Sequence, residues 1–128
     1  MSQTPPAGTV AWTDLTVADA EGIRDFYAEV VGWIADPVDM GEYSDFNMIV
    51  PGTQEAAAGI CHARGVNADL PPAWMIYLVV DDLNASLTAV EEKGGEILLG
   101  PKQMGPGSAY AIIQDPAGAV AALYQTGE

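Results

Sequence analysis

Beyond its carboxylates, the chain has few side chains that could act as an acid, a base, a nucleophile or a metal ligand. It has one histidine, His62, and one cysteine, Cys61. The two are neighbours in a stretch that alternates like a strand, so we expect them to point to opposite faces of a sheet. Cys61 has no basic neighbour in the sequence to lower its thiol pKa, which favours a buried, unreactive thiol. His62 is the only histidine, and we expect it to point away from the face on which Cys61 lies. The sequence therefore supports no Ser-His-Asp catalytic set.

The glycine-rich stretches do not predict a phosphate-binding loop. Gly94-Gly95 and the Gly-Pro-Gly of residues 105–107 do not form a Gly-x-Gly-x-x-Gly pattern. Neither stretch is followed by Lys and then Ser or Thr, as the P-loop of nucleotide-binding proteins requires.

The charge balance limits the partners. The 128 residues include four basic and eighteen acidic side chains, a formal net charge of −14. Such a chain would repel a phosphate backbone and an anionic membrane, so we expect neither nucleic acid nor a membrane as a partner. A cationic ligand would be attracted, although a scattered acidic surface also serves solubility, and both interpretations stay open.

The sequence also predicts a cytoplasmic location. No apolar run approaches the roughly 20 residues of a membrane span. The N-terminus has no basic stretch followed by an apolar one, as a signal peptide would. A single cysteine cannot form an internal disulfide, which fits a reducing compartment.

Residues 11–33 predict a strand followed by a capped helix. Asp14 and Thr16 share one face of an alternating strand. Asp19 is suited to cap the helix that follows, and Gly32 is suited to end it. One apolar stripe runs along the helix through Ile23, Phe26, Tyr27, Val30 and Val31.

The same order returns 63 residues later without a net gap. Asp82 and Gly95 follow Asp19 and Gly32 by that interval. Each half predicts a β-α-β-β-β order, so two tandem modules form one α+β domain. We expect a flexible tail over residues 1–8 and a single domain over 9–128, with modules of about 9–65 and 71–126. We expect a short second strand in each half, broken at Asp36-Pro37 in the first and at Gly100-Pro101 in the second.

Several motifs resemble the vicinal oxygen chelate superfamily, which includes glyoxalase I, extradiol dioxygenases and the bleomycin resistance protein. They are the helix entries Val17-Ala-Asp19 and Val80-Asp-Asp82, the pairs Phe26-Tyr27 and Gly32-Trp33, and the turn Asp115-Pro-Ala-Gly118. The resemblance covers about residues 9–126. It implies a curled, cup-shaped mixed sheet with the helices outside, and a homodimer.

The resemblance also implies where a metal-dependent relative would carry its four ligands. Those positions hold Trp12, Gly59, Met75 and Ala122 here, and none of them supplies an imidazole or a carboxylate. We therefore expect no metal and no other cofactor.

Period-two alternation from the same positions predicts the lining of the cup. The predicted ligand-binding residues are Trp12, Asp14, Met75, Tyr77, Tyr124 and Cys61. The aromatic side chains could stack on a planar or cationic ligand, or could fill a closed cup as core. Asp14 could bond a tyrosine or a backbone amide, anchor a ligand, or act as the candidate catalytic base.

Three functions fit this sequence. The first is a metal-independent protein that holds a hydrophobic or aromatic small molecule, a cationic one included, in the cup; bleomycin-resistance-like sequestration is one version of this function. The second is a glyoxalase-type lyase or isomerase that uses Asp14 with tyrosines, or an atypical metal set such as Asp14 with His62 or Glu55. The third is a domain that acts through dimerisation alone.

Overall fold

The computed structural model describes residues 5–126. They form two compact units, residues 13–74 and residues 75–126 together with 5–12. The first half contains β1 (Val10–Val17), α1 (Ala20–Val31), β2 (Ile34–Asp39), β3 (Ser44–Val50) and β4 (Glu55–His62). After a short 3-10 helix (Gly65–Asn67), the second half contains β5 (Met75–Val79), α2 (Leu83–Glu92), β6 (Glu96–Gly105), β7 (Ser108–Gln114) and β8 (Val120–Gln125). The predicted α+β class and the repeated β-α-β-β-β order are confirmed. The predicted tail and the end of the predicted domain lie in part outside the described residues.

In the first module the strand order is β2-β3-β4-β1. Strands β1 and β4 are parallel, and the other neighbours are antiparallel. Helix α1 covers one face, where Ala20, Phe46, Met48 and Ile60 form a buried cluster. Val17 packs against this cluster. Because side chains alternate along a strand, Asp14 and Thr16 lie on the opposite, helix-free face of β1.

The second module repeats this plan with the order β5-β8-β7-β6. Helix α2 buries Leu83 and Leu87 against Ala111 and Leu123 of the sheet. The segment before β1 belongs to this unit: Gly8 N–H donates to the Val79 carbonyl (2.8 Å), and Val79 N–H donates to the Thr9 carbonyl (2.9 Å).

The predicted helix caps are confirmed. Asp19 Oδ1 accepts from the Gly22 amide at 3.0 Å, and Asp82 Oδ1 accepts from the Ala85 amide at 3.2 Å. Each carboxylate satisfies an amide that has no partner inside the first helical turn. Gly32 ends α1 with φ +89°, a left-handed conformation that glycine adopts without steric cost.

Two predicted strand breaks were wrong. β2 continues through Asp36-Pro37 to Asp39, because it is the outermost strand of its module and pairs only with β3 there. An edge strand tolerates proline, since the missing N–H need not face a neighbour. β6 continues through Gly100-Pro101 for ten residues, and its pairing with β7 absorbs the irregularity as shifts in register.

The repeat holds in strand register as well as in element order. Asp14 pairs with Gly59 in the first module, and Tyr77 pairs with Ala122 in the second. Tyr77 lies 63 positions after Asp14, and Ala122 lies 63 positions after Gly59. The next strand along departs from that interval. Gly59 faces Asn47, whereas Ala122 faces Ile112, which is 65 positions after Asn47.

No helix in the described part of the chain is long and apolar enough to cross a membrane.

Candidate functional site

The helix-free side of the second module carries three tyrosines, which we call the tyrosine face: Tyr77, Tyr110 and Tyr124. Tyr77 pairs with Ala122 on β8, and Tyr124 follows two residues later on that strand. Because Leu78, Leu123 and Ala111 point towards α2, the tyrosines that alternate with them point away from it. Ala122 pairs with Tyr77 on one side and with Ile112 on the other, so only its small methyl group lies between these two side chains.

Tyr110 was missed from the sequence. It pairs directly with Tyr124 across β7 and β8, so the two rings are cross-strand neighbours on one face. Burial raises the pKa of the Tyr110 hydroxyl. Alternation within residues 108–114, where Ala109, Ala111 and Ile113 point to the helix, would have indicated it.

The predicted residues Met75 and Trp12 belong to the same unit. Met75 begins β5 and is almost completely buried, whereas Trp12 is partly exposed. Both make contacts within the protein, as do Asp14 and Tyr77.

The helix-free side of the first module is acidic, and we call it the acidic face: Asp14, Cys61 and Asp45. Asp14 pairs with Gly59, and Thr16 pairs with Cys61 on the same two strands. Asp45 lies close enough to the Cys61 thiol to act on its pKa. Burial, followed by the charges of Asp14 and Asp45, raises the pKa of Cys61 to about 12. The thiol therefore stays protonated at neutral pH, as the absence of a basic neighbour predicted.

Asp45 was also missed, and it organises the end of β4. Its Oδ1 accepts from the backbone amide of His62 at 2.9 Å and lies 3.1 Å from His62 Nδ1. The His62 ring packs edge-on against Tyr43, with 5.1 Å between the ring centroids, and also contacts Phe46 of the helix-covered side. The side chains of Asp45 and His62 are both only 15% exposed, and the ring of His62 lies on the opposite side of β4 from Cys61.

The four positions at which a metal-dependent relative would place its ligands do not fit a metal. These positions hold Trp12, Met75, Ala122 and Gly59. Their side chains are, in that order, an indole, a thioether, a methyl group and a single hydrogen atom. Neither Ca²⁺ nor Zn²⁺ finds its usual oxygen, imidazole or thiolate ligands there. Within residues 5–126 no three His, Cys, Asp or Glu side chains converge elsewhere as a metal site would require.

A cavity of about 470 Å³ opens beside the first turn of α2, on the opposite side of the second module from the tyrosines. Its lining includes Leu78, Val80, Asp82, Ser86 and Leu123. None of the predicted ligand-binding side chains lines it.

Comparisons with known proteins agree with this architecture. A family model described as the Glyoxalase/Bleomycin resistance protein/Dioxygenase superfamily matches residues 9–123. The chain is 31% identical over 120 residues to "Putative glyoxylase CFP32" of Mycobacterium tuberculosis, covering 92% of this chain and 46% of that protein. It is 30% identical over 131 residues to the anthracycline biosynthesis protein DnrV of Streptomyces peucetius, covering 94% of this chain and 48% of that protein. The chain thus spans just under half the length of these relatives.

Solved structures show the same fold at low sequence identity. A superfamily member from Vibrio splendidus aligns with a TM-score of 0.60 at 14% identity, covering 90% of this chain and 97% of that one. Methylmalonyl-CoA epimerase from Mycobacterium tuberculosis aligns with a TM-score of 0.58 at 18% identity, covering 100% and 94%. Since the family model covers most of the chain and the repeated modules have the expected order, the chain belongs to the glyoxalase, bleomycin resistance protein and dioxygenase superfamily, the vicinal oxygen chelate group that its motifs resemble.

Proposed function

We propose that this chain is a small-molecule-binding protein that works without a metal and takes a hydrophobic or aromatic ligand, a cationic one included. Bleomycin-resistance-like sequestration is one version of this function. The candidate contacts predicted from the sequence are Trp12, Met75, Tyr77 and Tyr124 in one unit, which Tyr110 joins, and Asp14 and Cys61 in the other, which Asp45 joins. We also propose that the protein is cytoplasmic and homodimeric.

The tyrosine face carries this proposal. A binding surface for a planar molecule needs apolar contact area with a few polar groups at fixed positions. Tyr110 and Tyr124 are direct cross-strand neighbours, and Tyr77 lies one strand away. Each phenol offers a ring for stacking and a hydroxyl for a hydrogen bond.

The acidic face supports the inclusion of cations. Asp14 and Asp45 lie close enough to Cys61 to raise the pKa of its thiol. A ligand that brings a positive charge there would lower the repulsion between the two carboxylates, in a chain whose net charge is −14. The partly buried setting of Asp14 would strengthen this attraction over that of an exposed carboxylate.

The relative DnrV, an anthracycline biosynthesis protein, suggests a ligand class to test first. Anthracyclines are planar polycyclic aromatic compounds, which matches the stacking that three tyrosines offer. Daunorubicin carries an amino sugar and is cationic, whereas its aglycone daunomycinone has the same rings without that charge. The pair separates aromatic stacking from charge recognition.

The experiment titrates both compounds into the wild type, Asp14→Asn, Tyr124→Leu and the control Asp36→Asn, with calorimetry as the readout. Asp36 is an exposed carboxylate on the edge strand β2. We expect Asp14→Asn to weaken daunorubicin about tenfold, the equivalent of about 1.4 kcal/mol, and to leave daunomycinone unchanged. Tyr124→Leu should weaken both compounds. Equal daunorubicin affinities for wild type and Asp14→Asn would remove Asp14 from the site, and no binding of either compound would overturn polycyclic aromatics as the ligand class.

The metal-independent part is tested separately. Elemental analysis of the purified protein should find no stoichiometric divalent metal, and dialysis against EDTA should leave daunorubicin affinity unchanged. A tightly bound metal at one equivalent would contradict the proposal as stated.

The second candidate is a glyoxalase-type lyase or isomerase, which the name of CFP32 favours. In that case Asp14 would act as the base and a tyrosine hydroxyl would donate to the developing oxyanion. Turnover of a 2-oxoaldehyde–thiol adduct that is abolished in Asp14→Asn would select this function over simple binding.

A further inference from the structure

The cavity beside the first turn of α2, which we call the α2 cavity, has an apolar floor. Leu78 of β5, Val80 just after it and Leu123 of β8 line the cavity and belong to the side of the sheet that α2 covers. Its volume of about 470 Å³ falls within the roughly 300–1,000 Å³ of small-molecule pockets. The cavity is therefore large enough for a small molecule, to which its floor offers aliphatic contact.

Hydrogen bonds hold two walls of the α2 cavity in place. One wall is the turn of residues 6–9, where the Gly8 amide donates to the Val79 carbonyl at 2.8 Å. The other is the first turn of α2, where the Ala85 amide donates to the Asp82 carboxylate at 3.2 Å. Both walls belong to the same compact unit, so the cavity is formed inside that unit alone.

The first module carries larger side chains at the equivalent positions. Ser86, which lines the α2 cavity, lies 63 positions after Ile23. Ile23 packs against the buried cluster of the first module, which includes Phe46. In the strand pairing the counterpart of Phe46 is Ala111, 65 positions later. The fold thus accepts bulky groups at both positions, and the second module leaves room beside its helix.

The polar side chains at the α2 cavity favour a cation. They are Asp81, Asp82 and Ser86, and none of the described residues that line the cavity is basic. Asp82 uses one carboxylate oxygen to cap α2, whereas Asp81 is exposed to solvent. An anionic group would be repelled by the two carboxylates, and an ammonium group would be attracted by them.

We infer that the α2 cavity is a second binding site, for a small amine with an apolar body. The body of the ligand would pack on the aliphatic floor formed by Leu78, Val80 and Leu123. Its ammonium group would lie beside Asp81 and donate a hydrogen bond to the Ser86 hydroxyl, which can accept one. This site lies on the other side of the sheet from the tyrosine face, so a ligand on either side should leave the other free.

The test titrates tryptamine and tryptophol into the full chain and follows the backbone amides by NMR. The two probes share an indole ring on a two-carbon arm, which ends in an ammonium group in tryptamine and in a neutral hydroxyl in tryptophol. We expect the largest shifts at residues 7–8 and 83–86, and tighter binding of tryptamine than of tryptophol.

Two variants change the α2 cavity in different ways. Ser86→Ile introduces the residue that α1 carries at the equivalent position, and it should abolish the binding of both probes there by filling the space. Asp81→Asn should weaken tryptamine about threefold, as expected for an exposed charge pair, and leave tryptophol unchanged. The controls Thr88→Ile and Glu91→Gln alter exposed residues of α2 outside the lining and should change neither affinity.

Shifts confined to the tyrosine face, or equal tryptamine affinities for wild type and Ser86→Ile, would overturn the inference. Equal tryptamine affinities for wild type and Asp81→Asn would overturn the amine as the ligand class. Thermal unfolding shows whether each variant is folded, and the exposed position of Asp81 keeps the test valid if Ser86→Ile does not fold.

Daunorubicin separates this site from the proposed function. Its affinity should be the same with and without saturating tryptamine, because the two ligands occupy opposite sides of the sheet. Competition between them would overturn the second site. Failure of daunorubicin to bind would leave the α2 cavity as a tryptamine site, and failure of tryptamine to bind would leave the tyrosine face untouched.

Discussion

The Oδ1 atom of Asp45 accepts from the backbone amide of His62 at 2.9 Å and lies within hydrogen-bonding distance of Nδ1 of the same residue, at 3.1 Å. This pair ties the start of β3 to the end of β4. It also sets Nδ1 of the histidine beside a carboxylate, an acceptor that favours the tautomer with the proton on Nδ1. The charge of the same carboxylate also contributes to the raised pKa of the Cys61 thiol, after burial and the charge of Asp14.

Replacing Asp45 with alanine should lower the free energy of unfolding by about 1–3 kcal/mol, because two donors of His62 would lose their acceptor in a mostly buried place. Asp45→Asn keeps an oxygen at the same position and should cost less than half as much. Urea unfolding at pH 7 provides the measurement.

Asp39→Ala is the matched control for that change. Asp39 Oδ1 accepts from the Gly41 amide at 2.9 Å, but the bond lies in an exposed turn. Its loss should cost no more than about 0.5 kcal/mol. Equal effects of Asp39→Ala and Asp45→Ala would contradict the role assigned to the Asp45–His62 pair.

Stability should fall as the pH rises through the alkaline range, and Cys61 should account for part of the slope. The ordinary thiol pKa is 9.0, and in the folded protein that of Cys61 is about 12. Between these values the unfolded chain releases a proton that the folded chain keeps, so the free energy of unfolding decreases with pH. Below pH 9 the thiol is protonated in both states and contributes no slope.

Urea unfolding of wild type and Cys61→Ala between pH 8 and 10.5 measures this contribution. The variant should show a smaller decrease above pH 9. In addition, iodoacetamide should modify the folded wild type at pH 8.5 far more slowly than the chain unfolded in urea. Parallel pH profiles for the two proteins would refute the assignment.

Gly100→Ala should destabilise the protein more than Gly118→Ala does. Both glycines have positive φ, +91° and +95°. A methyl group at Gly118 meets nothing within 4 Å, so only backbone strain of about 1–2 kcal/mol is expected. At Gly100 it would lie 2.9 Å from the Tyr110 carbonyl oxygen, which adds about 1–3 kcal/mol of crowding and moves the strand that carries a ring of the tyrosine face. Thermal unfolding of both variants decides, and equal midpoints would show that β7 yields without cost.

The parts of the fold that local physics decides were predictable from the sequence. Asp19 and Asp82 cap their helices because a short carboxylate just before a helix can accept a hydrogen bond from a free amide of its first turn. The extent of β2 was not predictable in this way. Whether Pro37 breaks a strand depends on which strand lies beside it, and that neighbour is known only once the sheet is assembled.

The two missed site residues have different explanations. Tyr110 was missed because the four positions from which the lining was predicted lie on β1, β4, β5 and β8, and none lies on β7, the strand whose alternation indicates it. Asp45 was hidden because its partner lies 17 residues away, at a strand end where period-two alternation no longer separates the two faces. Side-chain pairs of this range follow from tertiary packing and leave no local pattern.

The register of the two modules also determines how the protein can be redesigned. Since Asp14 and Tyr77 hold equivalent places beside Gly59 and Ala122, an aspartate and a tyrosine could be exchanged between the modules on unchanged backbones. Between β3 and β7 equivalent positions lie 65 residues apart, as for Asn47 and Ile112, so an exchange there must use that interval in place of 63. The two modules thus offer equivalent positions with different chemistry, and the exchange would place a phenol in the acidic face and a carboxylate in the tyrosine face.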